Sequence, residues 1–131
     1  MSALISFGNL AFQGLGVSYP RTFGVAVQTE AKSLWPCPRN CYLGNLRVVA
    51  RLGSSGDIET IAIIRVNGQD SALRARLGVG VLEAQNGGKI LVSARDLVSC
   101  AIDLTGSAGS GYTDILVTAE FTPIPIFASR T

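Results

Sequence analysis

The chain has 131 residues, room for one domain with a real core and too few for two. Hydrophobic residues make up 47% and charged residues 15%, against a usual charged share of about 25%, so little polar material is available to coat a surface. A net charge of +2 is too small for a nucleic-acid stripe, the absence of His excludes triads built on that base and His-bearing metal sites, and no run approaches the about 20 apolar residues of a membrane-spanning helix.

The opening "MSALISFGNLAFQ" has no basic leader, long apolar core or cleavage site, so no secretory signal is expected. Part of "LISFGNLAFQ" reads as a strand, and residues 1–20 as a whole are expected to form an extended N-terminal assembly arm. "TFGVAVQT" (22–29) reads as a second strand. "EAKSLW" (30–35) is the best helical candidate, and "PCP" stops it at once. Cys37 and Cys41 bracket "CPRNC". Three Cys and no His fall short of the four ligands a zinc site usually takes, and in a reducing cytosol the thiols are expected to stay free.

"YLGNLRVVARL" (42–52) and "IETIAIIRV" (58–66) read as strands joined by a flexible "GSSGD" loop (53–57). In the second strand Ile58, Ala62, Ile64 and Val66 alternate toward a core. Ile61 and Ile63 then fall on the other face, and a strand apolar on both faces needs a cover on each. Ile61, Ile63 and Arg65 are therefore expected to meet another copy of the chain. Asn67-Gly68 is a hairpin turn, because both residues tolerate the positive φ of a type I′ turn.

"SALRARLGVGVLEA" (71–84) reads as a strand broken at Gly78 or Gly80, followed by a second turn at Asn86-Gly87 that Gly88 widens, and a strand "KILV" (89–92). In "DLVSCAIDL" (96–104) Val98, Cys100, Ile102 and Leu104 share one face. "GSAGSG" (106–111) is a flexible loop. In "DILVTAEF" (114–121) Ile115, Val117, Ala119 and Phe121 share a face. The end, "TPIPIFASRT" (122–131), stays extended at Pro123 and Pro125 but loses two ladder donors. Ile124, Ile126 and Phe127 make it an apolar arm, lying either on a neighbour or back over its own sandwich.

Short β-branched runs separated by Gly-rich turns every about 8–12 residues mark an all-β, antiparallel sandwich or barrel of about eight strands over residues 1–131. Reaction chemistry is not apparent. No G-x-S-x-G elbow occurs, and "GSAGSG" lacks the Lys-Ser/Thr and the helix of a phosphate loop. Asp57 and Glu59 lie two apart on a strand, about 7 Å, and read as a solvated hairpin end. Glu120 is expected to pair with an Arg. Arg47, Arg51, Arg65, Arg74 and Arg76 all fall in strands, where Arg suits either protein interfaces or a solvent face. Trp35, Tyr42 and Tyr112 are the candidate sugar-stacking aromatics, with Trp35 read as a plug at the sandwich end and Tyr112 as the more exposed. No enzyme activity, cofactor or metal is expected.

From "CYLGNLRVVARLGSSGDIETIAIIRVNGQDSALRARL" through "ARDLVSCAIDLTGSAGSGYTDILVTAEF" the chain resembles a group of small β-sandwich proteins of tailed bacteriophages. A Gly-containing loop leads into "NLRV", a strand ends at "RVNG", an Asp opens the penultimate strand, and a strand ending in Glu-Phe closes the domain. The likeness covers roughly the last two thirds. It departs at Arg95, where the group's pattern has Gly, so the turn there is expected to avoid positive φ. The resemblance implies a jelly-roll subunit, commonly trimeric, on a virion exterior after synthesis in the host cytoplasm. It implies a capsid decoration (cement) protein whose partners are itself and the major capsid protein, with no nucleic acid and no membrane. The alternative it leaves is a binding module of a tail fibre or spike that recognises a carbohydrate or surface receptor.

Overall fold

The computed structural model describes residues 3–9, 16–19, 34–109 and 113–124. Within them lie nine strands: β1 (Ala3–Asn9), β2 (Gly16–Ser18), β3 (Trp35–Pro36), β4 (Cys41–Leu52), β5 (Glu59–Val66), β6 (Gln69–Leu77), β7 (Glu83–Val92), β8 (Leu97–Thr105) and β9 (Thr113–Pro123). One sheet has the order β1-β9-β4-β7 and the other β2-β8-β5-β6, with the two-residue β3 also pairing β8. All pairings are antiparallel. Consecutive strands alternate between sheets except at the β5–β6 hairpin and from β2 to β3. This is the order of a jelly roll, in which β2 and β3 occupy one strand position along the same edge of β8.

The core forms where the inner faces of the two sheets meet. Phe7, Leu43, Leu46 and Val48 come from one sheet, and Ile64, Leu73, Leu77 and Ile102 from the other, all fully buried. The period-2 readings hold. Val98, Cys100, Ile102 and Leu104 are buried, as are Ile115, Val117 and Ala119, with Phe121 packed at the margin. Trp35 meets Phe121 edge-on at 5.9 Å between ring centroids, plugging one end of the sandwich. The Asn67-Gly68 hairpin has φ of 52° and 78°, both positive, so two residues suffice to turn β5 into β6.

Several expectations are corrected. Trp35 lies in a strand and not at the end of a helix. Residues 3–9 and 16–18, expected in an arm, form edge strands of the two sheets, and Ile5 and Phe7 enter the core. Asn86-Gly87-Gly88 is no turn, because β7 runs straight through it. There β4 and β7 lose register. Gly44 pairs Lys89 but Leu46 pairs Asn86, so β7 carries one extra residue, absorbed as a bulge. The glycines mark that bulge. Arg95 adopts φ 72° in a turn closed by the Asp96 amide on the Ser93 carbonyl (3.1 Å), so Arg occupies the left-handed position that glycine usually fills. Its amide donates to the Cys37 carbonyl at 2.7 Å, and the Asp96 carboxylate accepts from the Ser93 amide and the Asn67 side chain, which fixes the turn despite the side chain. The expected strand at 22–29 lies outside the described residues.

Candidate functional site

The two loops read as flexible are clasped. The Asp57 carboxylate accepts from the amides of Ser107 and Ala108 (2.9 Å each) and from the Ser107 hydroxyl (2.6 Å). These donors hold its carboxyl down at about 2, the Ser107 hydroxyl contributing most. Glu59 is engaged elsewhere, by the Arg76 guanidinium. The adjacent carboxylates thus serve separate structural contacts.

The strand arginines are likewise committed within the chain. Arg47 pairs Glu83 at 2.8 Å, Arg51 pairs Asp114, and Arg65 pairs Asp70. Arg74 donates to the Ser71 carbonyl at 3.0 Å. Each bridges neighbouring or nearby residues on an outer face. Glu120 was expected to pair with an Arg; among the described residues it has none and accepts instead from the Asn45 side-chain amide at 3.1 Å.

Of the residues expected at a subunit interface, Ile61 and Arg65 are half-buried on the outer face of β5, but Ile63 is buried at 8% exposure. Its cross-strand neighbour Ala101 is buried too, and so is Ser99 opposite Arg65. Ile63 is therefore already shielded within one chain. Alternation assigned its face correctly and could not say what lies above that face. Ile124 is half-buried and turns back on its own domain, its amide donating to the Asn40 carbonyl (3.0 Å) and its carbonyl accepting from Arg39 (3.2 Å). Ile126, Phe127 and Tyr112 lie outside the described residues.

Cys37 and Cys41 are both buried, with sulfurs 3.4 Å apart and unbonded, and Cys37 also donates to the Arg39 carbonyl. Burial, followed by the contact with Cys37, pushes the Cys41 thiol up to about 12, and burial alone raises Cys100 further. Thiols so protonated are poor nucleophiles. Among the described residues no group of three His, Cys, Asp or Glu is arranged to hold a metal.

Two surfaces stand out among the described residues. The first is one end of the sandwich, where the loop between β6 and β7 backs on the end of β4. The Ala50 amide donates to the Leu82 carbonyl, and Gly53 abuts Gly80 so closely that a Cβ would sit 3.0 Å from its backbone. Leu52, Val79, Val81 and Leu82 gather there, each 44–52% exposed. The sequence carries this cluster openly in "RLGSSG" and "LGVGVL", but a loop reading directs attention to its glycines and away from its apolar side chains.

The second is a depression of about 220 Å3 on the outer face of the first sheet, continuous through Asn45, Gly87 and Glu120 with another of about 260 Å3 beside Arg47 and Gln85. Here β4 is out of register with both neighbours, and Asn45 takes φ 48°. Gly44 is required, since a Cβ would lie 2.9 Å from the Gly88 carbonyl oxygen. Tyr42 stands at the rim with the Lys89 ammonium 4.5 Å from its ring centroid. Tyr42 was a sequence candidate; Asn45, Lys89 and Glu120 were not, because only the bulge brings them together. No protein-family model matches the chain, and no curated protein is significantly similar to it.

Proposed function

We propose that this protein is a non-enzymatic assembly subunit of a tailed-phage virion, a jelly-roll decoration or cement protein that self-associates as a trimer and binds the major capsid protein on the exterior of the head. The observation that carries this reading is the sandwich end built from Leu52, Val79, Val81 and Leu82. Four large apolar side chains about half exposed on adjoining segments favour burial against another surface. The jelly-roll order and the likeness of the last two thirds of the sequence to phage surface proteins support it. In this reading the self-contact moves from Ile61 and Ile63 to that end, and Ile126 and Phe127 keep the proposed contact with the shell.

The mechanism is mechanical. A shell is held by many shallow contacts, and a subunit seated where capsomers meet adds buried apolar area at about 25 cal/mol per Å2, repeated at every seat. Expansion or bursting then has to break more contacts at once. Native mass measured across a dilution series is the first test. A trimer persisting at micromolar concentration is expected, followed by co-sedimentation with bare capsids; a monomer that leaves bare capsids unoccupied overturns the reading. A second reading, a binding module of a tail fibre or spike, is favoured by the exposed Tyr42 ring beside its depression.

A further inference from the structure

The depression on the outer face of the first sheet is built, and the sequence devotes irregular backbone to it. A regular sheet face is ridged with side chains. Here β7 carries glycine at two successive positions across the bulge from Asn45, and β4 carries Gly44 just beside them, paired with Lys89. A Cβ at Gly87 would meet nothing within 4 Å, so its missing side chain leaves open space at the surface. Around that space the register shifts bring four kinds of group together from three strands: the Tyr42 ring and Asn45 amide from β4, the Lys89 ammonium from β7, and the Glu120 carboxylate from β9.

The chemistry of these groups is specific. Tyr42 is 38% exposed, with the Lys89 ammonium over its ring at 4.5 Å, so it offers an apolar ring already set beside a cation. The Lys89 ammonium has no carboxylate partner among the described residues. Glu120 accepts from Asn45 through Oε2, leaving Oε1 without a partner among the described residues. An ammonium, a carboxylate oxygen and a planar amide around an aromatic edge match a pyranose. Its C–H groups pack against the exposed edge of the ring, and its neighbouring hydroxyls accept from Lys89 or Asn45 and donate to Glu120. Charge selects further. One unpaired cation stands against one carboxylate, and Arg47 beside them is neutralised by Glu83, so the site offers no net attraction to a phosphate or a uronic acid.

We propose that this depression binds a neutral hexose or N-acetylhexosamine unit of an oligosaccharide. The inference rests on the binding-module reading and names its site and ligand class. It also adds to the assembly reading, because the depression and the apolar end of the sandwich use different residues.

The test is an amide chemical-shift titration of the whole protein with neutral di- to tetrasaccharides and, in parallel, with uronic-acid oligosaccharides. Neutral sugars at millimolar concentration are expected to shift the amides of Asn45, Gly87, Gly88 and Lys89. Tyr42→Ala should weaken binding about tenfold, and Gly87→Leu should abolish it by filling the open space, with native mass unchanged. The Gly87 variant keeps the test sound if Tyr42→Ala perturbs the fold. Full binding in Gly87→Leu, or shifts confined to other residues, overturns the site while leaving a sugar-binding module. Preference for the acidic sugars overturns the ligand class. No shift with any sugar overturns both the site and the carbohydrate reading behind it.

Discussion

Thr60 and Arg95 each hold a conformation or an environment that their side chains disfavour. Thr60 faces the core between Leu77 and Leu104, fully buried, and its hydroxyl has no hydrogen-bond partner. Thr60→Val keeps the shape and removes an unsatisfied polar atom, and is expected to raise unfolding free energy by about 1 kcal/mol in urea titrations. Arg95 sits at φ 72°, a region that disfavours a residue with a Cβ by roughly 1–2 kcal/mol. Arg95→Gly relieves that strain and gives back part of the gain through the looser unfolded chain, for a net stabilisation of about 0.5–1 kcal/mol. A lower urea midpoint for either variant would contradict these assignments. Neither could have been foreseen from sequence: alternation gave Thr60 its face without its partners, and Arg95 was expected to avoid the conformation it adopts.

At the scale of elements, the clasp between the loop 53–57 and the loop 106–109 closes one end of the sandwich. Gly56 and Gly109 let the two backbones touch, since a Cβ on Gly56 would fall 2.0 Å from the Ala108 carbonyl oxygen and one on Gly109 2.2 Å from that of Ser55. Asp57 locks them. Its carboxyl titrates at about 2 when folded against an ordinary value of 3.8, so the charged form is favoured by the fold. The stabilisation is complete above about pH 4 and is lost as pH falls toward 2. Asp57→Asn should melt lower than the wild type at neutral pH, with the gap narrowing across that window. A gap independent of pH would remove the carboxylate from the explanation. Strands with clean alternation were legible in the sequence because burial on one face writes itself in period 2. The loops and the β7 bulge were not. Glycine announces a departure from regular structure without saying whether the chain turns, bulges or lets another backbone approach.

At the scale of the whole molecule, the sandwich accounts for most of the apolar composition and leaves a defined remainder. The core takes the inner faces, the chain itself shields Ile63, and part of the apolar excess gathers at Leu52, Val79, Val81 and Leu82, the rest lying scattered at Leu4, Leu91, Leu97 and Leu116. Val81→Asp places a charge in that cluster without touching the core. It should convert a self-associated species to monomer in native mass measurements while leaving the thermal transition within a few degrees. An unchanged mass would place the self-contact elsewhere. The sequence showed that apolar surface was in excess; only the topology shows where that excess comes out.

The order of strands also sets a schedule. Ala3 pairs Phe121, and β2 pairs β8, so strands made early are completed only by strands made about a hundred residues later. At about 5–20 residues per second a ribosome takes on the order of ten seconds to span that interval. Until β8 and β9 emerge, neither sheet has its β1 or β2 edge, and the nascent chain presents unpaired apolar strands to its surroundings. A jelly roll of this connectivity cannot close before β8 and β9 have left the ribosome. It depends on whatever shields its strands in the meantime, and the same delay gives neighbouring copies an opportunity to exchange their first strands before each has found its own.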